Sequence, residues 1–233
     1  MQQKAIVIGA TGLVGQHLIK QISELYDTLI VIARRPPRYM NARMRFYQLQ
    51  DFDNLSEIFS SVGVDKNTDA FSCLGTTKKQ AGSEEAFRKV DHEYNVHFAE
   101  LCRERGVRHF FLLSAANASS GSRFFYNRVK AQTEDAIAAL KFPQLMIFRP
   151  SLLLGKHKGR PIESISQKAF QLISPLLSES LPLHPISAKR VAIAMAMSAH
   201  ELYARNKYRE QSEHSVVQMI ENKQMLAMTR VKP

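Results

Sequence analysis

Tyr126 and Lys130 stand four residues apart, the spacing that puts two side chains on one face of an α-helix. A free phenol, with a pKa of about 10, exchanges protons poorly at neutral pH. A neighbouring ammonium favours the phenolate and lowers that value. Such a pair can give a proton to a carbonyl oxygen or take one from an alcohol. Ser114 closes the apolar run at 109–113 and could hydrogen-bond the same oxygen. Tyr-x-x-x-Lys is also an ordinary pair on a helix surface, so its meaning depends on the elements that hold it.

Those elements begin at the N-terminus. The apolar run at 4–8 reads as a buried parallel strand and passes directly into Gly9, Ala10, Thr11, Gly12, Leu13, Val14 and Gly15. Glycines at that spacing allow a sharp turn, a close backbone approach to a pyrophosphate and tight packing of the next helix. The helix follows at once, with Leu18, Ile22 and Leu25 expected on one face. Its free N–H groups and positive dipole end favour an anion at the glycine turn. A strand before the glycines and an amphipathic helix after them turn a weak motif into a dinucleotide-binding signal.

Arg34 and Arg35 follow the second apolar run, 29–33. NAD-specific chains usually carry Asp or Glu there for the ribose 2′-hydroxyl, and a carboxylate would repel a 2′-phosphate. Two guanidiniums offer it forked, charge-assisted hydrogen bonds, which predicts NADP(H). The alternative is a solvated pair, with Pro36 and Pro37 merely ending the strand.

Strand and helix signals alternate along the chain: strands at 44–49, 69–75, 109–113 and 145–148, a short helix through Leu55, Ile58, Phe59 and Val62, and one long helix over 83–105. Ser83 caps the long helix and Gly106 ends it. A helix through Tyr126, Lys130 and Ile137 follows. This order predicts an α/β, Rossmann-like doubly wound parallel sheet with helices on both faces and a small C-terminal lobe. The expected division is 1–150 for the NADP-binding part and 151–233 for a small helical substrate lobe, integral to one compact unit. That lobe is expected over the carboxyl edge of the sheet, with helices through Ile165, Ala169, Leu172 and Ile173 and through 191–198.

At 233 residues and 45% hydrophobic, the chain can bury one large core. Its net charge of +11 favours anionic partners. The basic residues are scattered and lack aromatic–basic patterning, so nucleic acid is disfavoured. Cys73 and Cys102 have no metal-ligand spacing and read as core residues, and no zinc site is expected. The strand at residue 4 leaves no room for a signal peptide, no apolar run approaches a membrane span, and a cytoplasmic location is expected. The basic loop 155–160, if it covers the site, would favour an anionic substrate. Ser187 could cap a helix.

Taken together, Gly9, Gly12, Gly15, Ser114, Tyr126 and Lys130 resemble the short-chain dehydrogenase/reductase superfamily. The segments 73–77, 87–91, 109–114 and 148–150 resemble its atypical extended branch, around the human Tat-interacting protein and its bacterial relatives. The resemblance implies NADP(H) held by the glycine turn, Arg34 and Arg35 and by Leu74, Gly75 and Thr76, with Tyr126 and Lys130 on the nicotinamide half. Leu153 and Arg160 match positions that reach the cofactor in such relatives. It also implies Tyr126 as acid/base, Lys130 as its tuning group and Ser114 as the oxygen's orienting group, and a two-fold dimer through the long helix and the Tyr126 helix. The chain departs from the pattern at Asp91, where catalytic relatives often carry Asn. Its short lobe argues against a large nucleotide-sugar substrate. The leading expectation is a reductase or dehydrogenase of a small carbonyl or alcohol. The alternative is a non-catalytic NADPH-binding sensor whose occupancy changes its affinity for a protein partner.

Overall fold

A computed structural model describes residues 3–155, 184–206 and 215–230. Seven strands form one wholly parallel sheet: β1 (Lys4–Ile8), β2 (Thr28–Ala33), β3 (Met44–Gln48), β4 (Thr68–Ser72), β5 (His109–Leu113), β6 (Gln144–Arg149) and β9 (Val216–Glu221). Their spatial order is β3-β2-β1-β4-β5-β6-β9. The order reverses direction between β1 and β4, and in open α/β sheets the crevice at such a switch point is where ligands bind. β7 (Leu153–Leu154) and β8 (Ile186–Ser187) form a separate short ladder.

Period-two alternation sends each strand's side chains to two cores. Ala5, Val7, Leu29, Val31, Phe71, Phe111, Met146 and Phe148 face one core. Ile6, Ile8, Ile30, Ile32, Ala70, Phe110, Leu112, Leu145 and Ile147 face the other. A strand apolar on both faces can sit only between two helical layers. On the first face lie α1 (Gly15–Ile22), α7 (Ala188–Asn206) and α8 (Asn222–Met228), through residues such as Leu18, Val191, Met195 and Leu226. On the second lie α2 (Leu55–Ser61), α5 (Tyr94–Glu104) and α6 (Phe125–Ala139), through Phe59, Phe98, Cys102 and Ile137. Phe71 stacks on Phe111 at 4.4 Å between ring centroids, and Phe111 on Phe148 at 6.5 Å, so aromatic contacts bind β4, β5 and β6 across one face.

Three features differ from the sequence expectation. Leu25 is 38% exposed, because α1 ends at Ile22 and the chain turns before the next apolar position comes round. The helix expected over 83–105 is interrupted. α4 (Glu84–Arg88) and α5 are joined by a π-helical turn, Lys89–Glu93, after a single turn α3 (Lys78–Ala81). The described parts of the C-terminal segment join the main sheet and its core. β9 extends the main sheet beside β6, and α7 packs on α1 within the same core as β1. Ser187 Oγ accepts the Arg190 N–H at 3.2 Å, so the expected cap of α7 is present. The expected helix through Ile165 to Ile173 and the loop carrying Arg160 lie outside the described residues. No helix among the described residues is long and apolar enough to cross a membrane.

Gly9 closes the β1 turn with φ of +74°, and a Cβ there would stand 2.3 Å from the Cys73 carbonyl carbon. Gly9→Ala therefore meets both left-handed backbone strain and a backbone clash. The variant is expected to lose about 3 kcal/mol of stability, read from urea unfolding.

Candidate functional site

A cleft of about 580 Å³ opens along the carboxyl ends of the central strands. Gly12, Leu13 and Val14 line it after β1, and Cys73 to Thr77 after β4. Leu113 to Asn117 enter from β5, Pro150 to Leu153 from β6, and Tyr126, Lys130 and Asp91 from the helices. Ser114, Tyr126 and Lys130, assembled from two elements, thus share one wall with Leu74, Gly75, Thr76 and Leu153. Gly9 and Gly15 are not part of the lining, and a Cβ on Gly15 would stand 2.2 Å from the Gly9 carbonyl oxygen. Thr11 is exposed at the turn. Val14 precedes α1 without a side-chain cap, and the Gln16 and His17 N–H groups are taken up by Gly12 O at 3.1 Å and Val14 O at 2.9 Å.

Arg34 and Arg35 are exposed just past the end of β2, outside the cleft's lining, and neither makes an ion pair among the described residues. The positions directly after β2 carry no carboxylate.

Lys130 is buried, and its Nζ lies 2.8 Å from Asp91 Oδ1. Burial alone would lower the lysine pKa. The Asp91 charge, helped by the Tyr126 phenol and Glu134, outweighs burial and raises it, so the ammonium persists. The same ammonium is 6.0 Å from the Tyr126 ring centroid. Tyr126 itself is 42% exposed to the cleft, with its ring 5.6 Å from that of Phe87 on α4.

Asp91, the partner of Lys130, lies in the π turn. The widened turn misaligns backbone carbonyls, and side chains take them up. Asn95 Nδ2 donates to Val90 O at 3.0 Å and Asp91 O at 3.2 Å, and Thr133 Oγ1 donates to Asp91 O at 3.0 Å. Ser72 Oγ donates to the Asn95 side-chain oxygen. The second Asp91 oxygen accepts the Thr76 N–H at 2.7 Å, fixing the backbone that follows Gly75. A Cβ on Gly75 would be 3.2 Å from Asp91 Oδ1 and 3.7 Å from Lys130 Nζ, so glycine leaves the ion pair open toward the cleft at this point.

A second charged cluster lies one helical turn further along α6. Ser114 Oγ donates to Glu134, and Arg149 grips the same carboxylate through Nε at 3.0 Å and through Nη2. Arg149 Nη1 reaches Glu221 Oε1 at 3.4 Å. The Glu134 hydrogen bond, more than the opposing burial, holds the Arg149 pKa above its ordinary value. Sequence reasoning did not find Glu134, Arg149, Asn95, Thr133 or Asn117. Glu134 alone left a signal, since it continues the four-residue stripe of Tyr126 and Lys130. Asn117 lines the cleft with φ of 61°, a left-handed conformation that asparagine tolerates.

Cys73 and Cys102 are buried as expected, and burial pushes the Cys73 thiol up to about 12. Among the described residues no cluster of His, Cys, Asp and Glu could hold a metal ion.

Residues 5–190 match the NAD dependent epimerase/dehydratase family. The chain belongs to that family. It is 35% identical over 204 residues to the mitochondrial protein FMP52 of Meyerozyma guilliermondii, covering 85% of this chain and 86% of that protein. It is 34% identical over 179 residues to HTATIP2 of Rattus norvegicus, covering 73% and 72%. These relatives are those of an atypical short-chain dehydrogenase/reductase. The fold is that of a Thermotoga maritima UDP-glucose 4-epimerase solved with UDP-glucose, with a TM-score of 0.64 at 14% identity over 84% of this chain and 73% of that one. The family and fold are those of NAD(P)-dependent oxidoreductases. The relatives overturn the expectation of a cytoplasmic location. FMP52 proteins of M. guilliermondii, Scheffersomyces stipitis and Debaryomyces hansenii are named mitochondrial, which points away from a purely cytoplasmic placement.

The buried ion pair makes a stability prediction. Lys130→Met strands the Asp91 carboxylate and should cost about 3–5 kcal/mol, whereas Lys130→Met with Asp91→Asn should recover most of it. The raised lysine pKa gives the sign of the pH dependence. The pair contributes fully below the ordinary lysine value, and its contribution is lost as pH rises through the folded one. Urea unfolding of the single and double variants across neutral and alkaline pH measures both effects.

Proposed function

We propose that the protein is an NADP(H)-dependent oxidoreductase acting on a small carbonyl compound or its alcohol. The observation that carries this reading is the convergence of Ser114, Tyr126 and Lys130 on the cleft at the sheet's switch point. The pyrophosphate would lie against the turn of Gly9, Thr11, Gly12, Leu13, Val14 and Gly15, where the positive dipole end of α1 would favour an anion. Leu74, Gly75, Thr76 and Leu153 would flank the nicotinamide half. Arg34 and Arg35, exposed and free of ion pairs with the described residues, would take the 2′-phosphate.

The bound nicotinamide supplies or accepts the hydride, and the chain handles the proton. Tyr126 faces the cleft with its phenol and would protonate a carbonyl oxygen or deprotonate an alcohol. Lys130, held as an ammonium by Asp91, would meet the nicotinamide ribose beside Tyr126. Apolar lining by Leu74, Leu113, Ala115 and Leu152 would limit water around the reacting centre.

Fluorescence titration should show NADPH binding more tightly than NADH. Arg34→Ala with Arg35→Ala should weaken NADPH by about 10–100-fold and leave NADH unchanged. Equal affinities for the two cofactors would defeat the NADP(H) assignment. Tyr126→Phe should abolish turnover of whichever small carbonyl compounds the wild type reduces, while preserving NADPH binding. Full activity in that variant would remove Tyr126 as acid/base.

A further inference from the structure

The direction of one hydrogen bond constrains what the cleft can bind. A serine hydroxyl has one proton to donate and two lone pairs to offer. Ser114 is buried at the end of β5, where its backbone N–H is fixed to Phe148 O at 2.8 Å. Its hydroxyl meets the Glu134 carboxylate, which is itself buried and gripped on both oxygens by the Arg149 guanidinium. A carboxylate paired in this way accepts and does not donate, so the proton of the contact belongs to Ser114.

Several elements hold that direction in place. Glu134 extends from α6, Arg149 from the end of β6, and Arg149 also touches Glu221 at the end of β9. Turning the Ser114 proton toward the cleft would break a charge-assisted bond, roughly twice as strong as a neutral one, and leave a buried carboxylate short of a donor.

We infer that Ser114 faces the cleft as a hydrogen-bond acceptor only, positioned by Glu134, and that the cleft selects ligands bringing an O–H or N–H donor to that point. The inference rests on the reading of this cleft as the substrate site. A bare carbonyl oxygen offers Ser114 nothing to accept and is left to the Tyr126 phenol. The substrate class is therefore a carbonyl compound that carries a further hydroxyl or amino group, rather than a simple ketone. Glu134 and Arg149 become positioning residues that act through Ser114.

Phenol and anisole test this directly, because they differ by one O–H donor and neither exchanges a hydride with the cofactor. Each is titrated into the full chain saturated with NADPH, with affinity read by calorimetry or ligand-observed NMR. The wild type should prefer phenol by about tenfold more than Ser114→Ala does. Glu134→Gln should also lower the preference, since a carboxamide N–H can donate to Ser114 and release its proton toward the cleft. Thermal melts and NADPH affinity establish that the variants are folded. Should Glu134→Gln fail to fold, Ser114→Ala decides alone, as it leaves the Glu134–Arg149 pair intact. An equal phenol preference in wild type and Ser114→Ala overturns the proposal, as does absence of phenol binding in the NADPH complex. Failure of the wild type to take up NADPH is a different result, which removes the underlying reading of the cleft and this inference with it.

Discussion

A buried ammonium needs a counter-charge, and much of the cleft is arranged around supplying one to Lys130. Asp91 lies 2.8 Å from it, within the π turn at Lys89–Glu93. That turn misaligns carbonyls, which Asn95 and Thr133 take up, and Asn95 is in turn held by Ser72 on β4. The second Asp91 oxygen fixes Thr76, and with it the strand end that flanks the cleft. The charge on α6 is thus tied to an irregular helix, a set of local hydrogen bonds, and the path of the backbone after β4.

The parallel sheet imposes the second constraint. Every strand of the main sheet points the same way, so the turns that follow β1, β4, β5 and β6 emerge on one edge. Close packing at that edge then requires glycine where backbones cross. Gly9 passes the Cys73 carbonyl at a distance that no Cβ could occupy, and Gly15 does the same against Gly9. The glycine turn is consequently a packing requirement between β1, β4 and α1 before it is a binding motif.

The central strands were legible in the sequence because a strand buried on both faces is a continuous apolar run. The Tyr126–Lys130 stripe was legible because helical spacing maps directly onto a face. The π turn was not, since Phe87, Val90, Tyr94 and Phe98 fit an uninterrupted helix nearly as well as an interrupted one. Leu25 misled for the opposite reason, continuing a periodicity beyond the turn that ends the helix. β9 escaped notice because an edge strand carries a weaker apolar signal, with only Ile220 of its six residues buried. Contacts such as Glu134 with Arg149 depend on which helix lies over which strand end, and local pattern carries no information about that. Asp91 stood out as a departure from the family pattern, but its partner could be named only once α6 and the π turn were seen side by side.

α6 carries two buried charges of opposite sign one turn apart, each answered from a different element: Lys130 by Asp91, and Glu134 by Arg149. The four charges cancel, which limits the electrostatic cost of burying them together. Apolar residues of similar size would nonetheless stabilise such a position equally well or better. What an ion pair supplies and a leucine cannot is direction. Lys130 has its ammonium aimed between Asp91 and the cleft, and Ser114 has its proton turned toward Glu134. Both directions matter at the cleft wall and contribute little elsewhere. The paired charges along α6 are therefore best understood as orienting the groups beside Tyr126, with stability supplied by the two apolar cores on either side of the sheet.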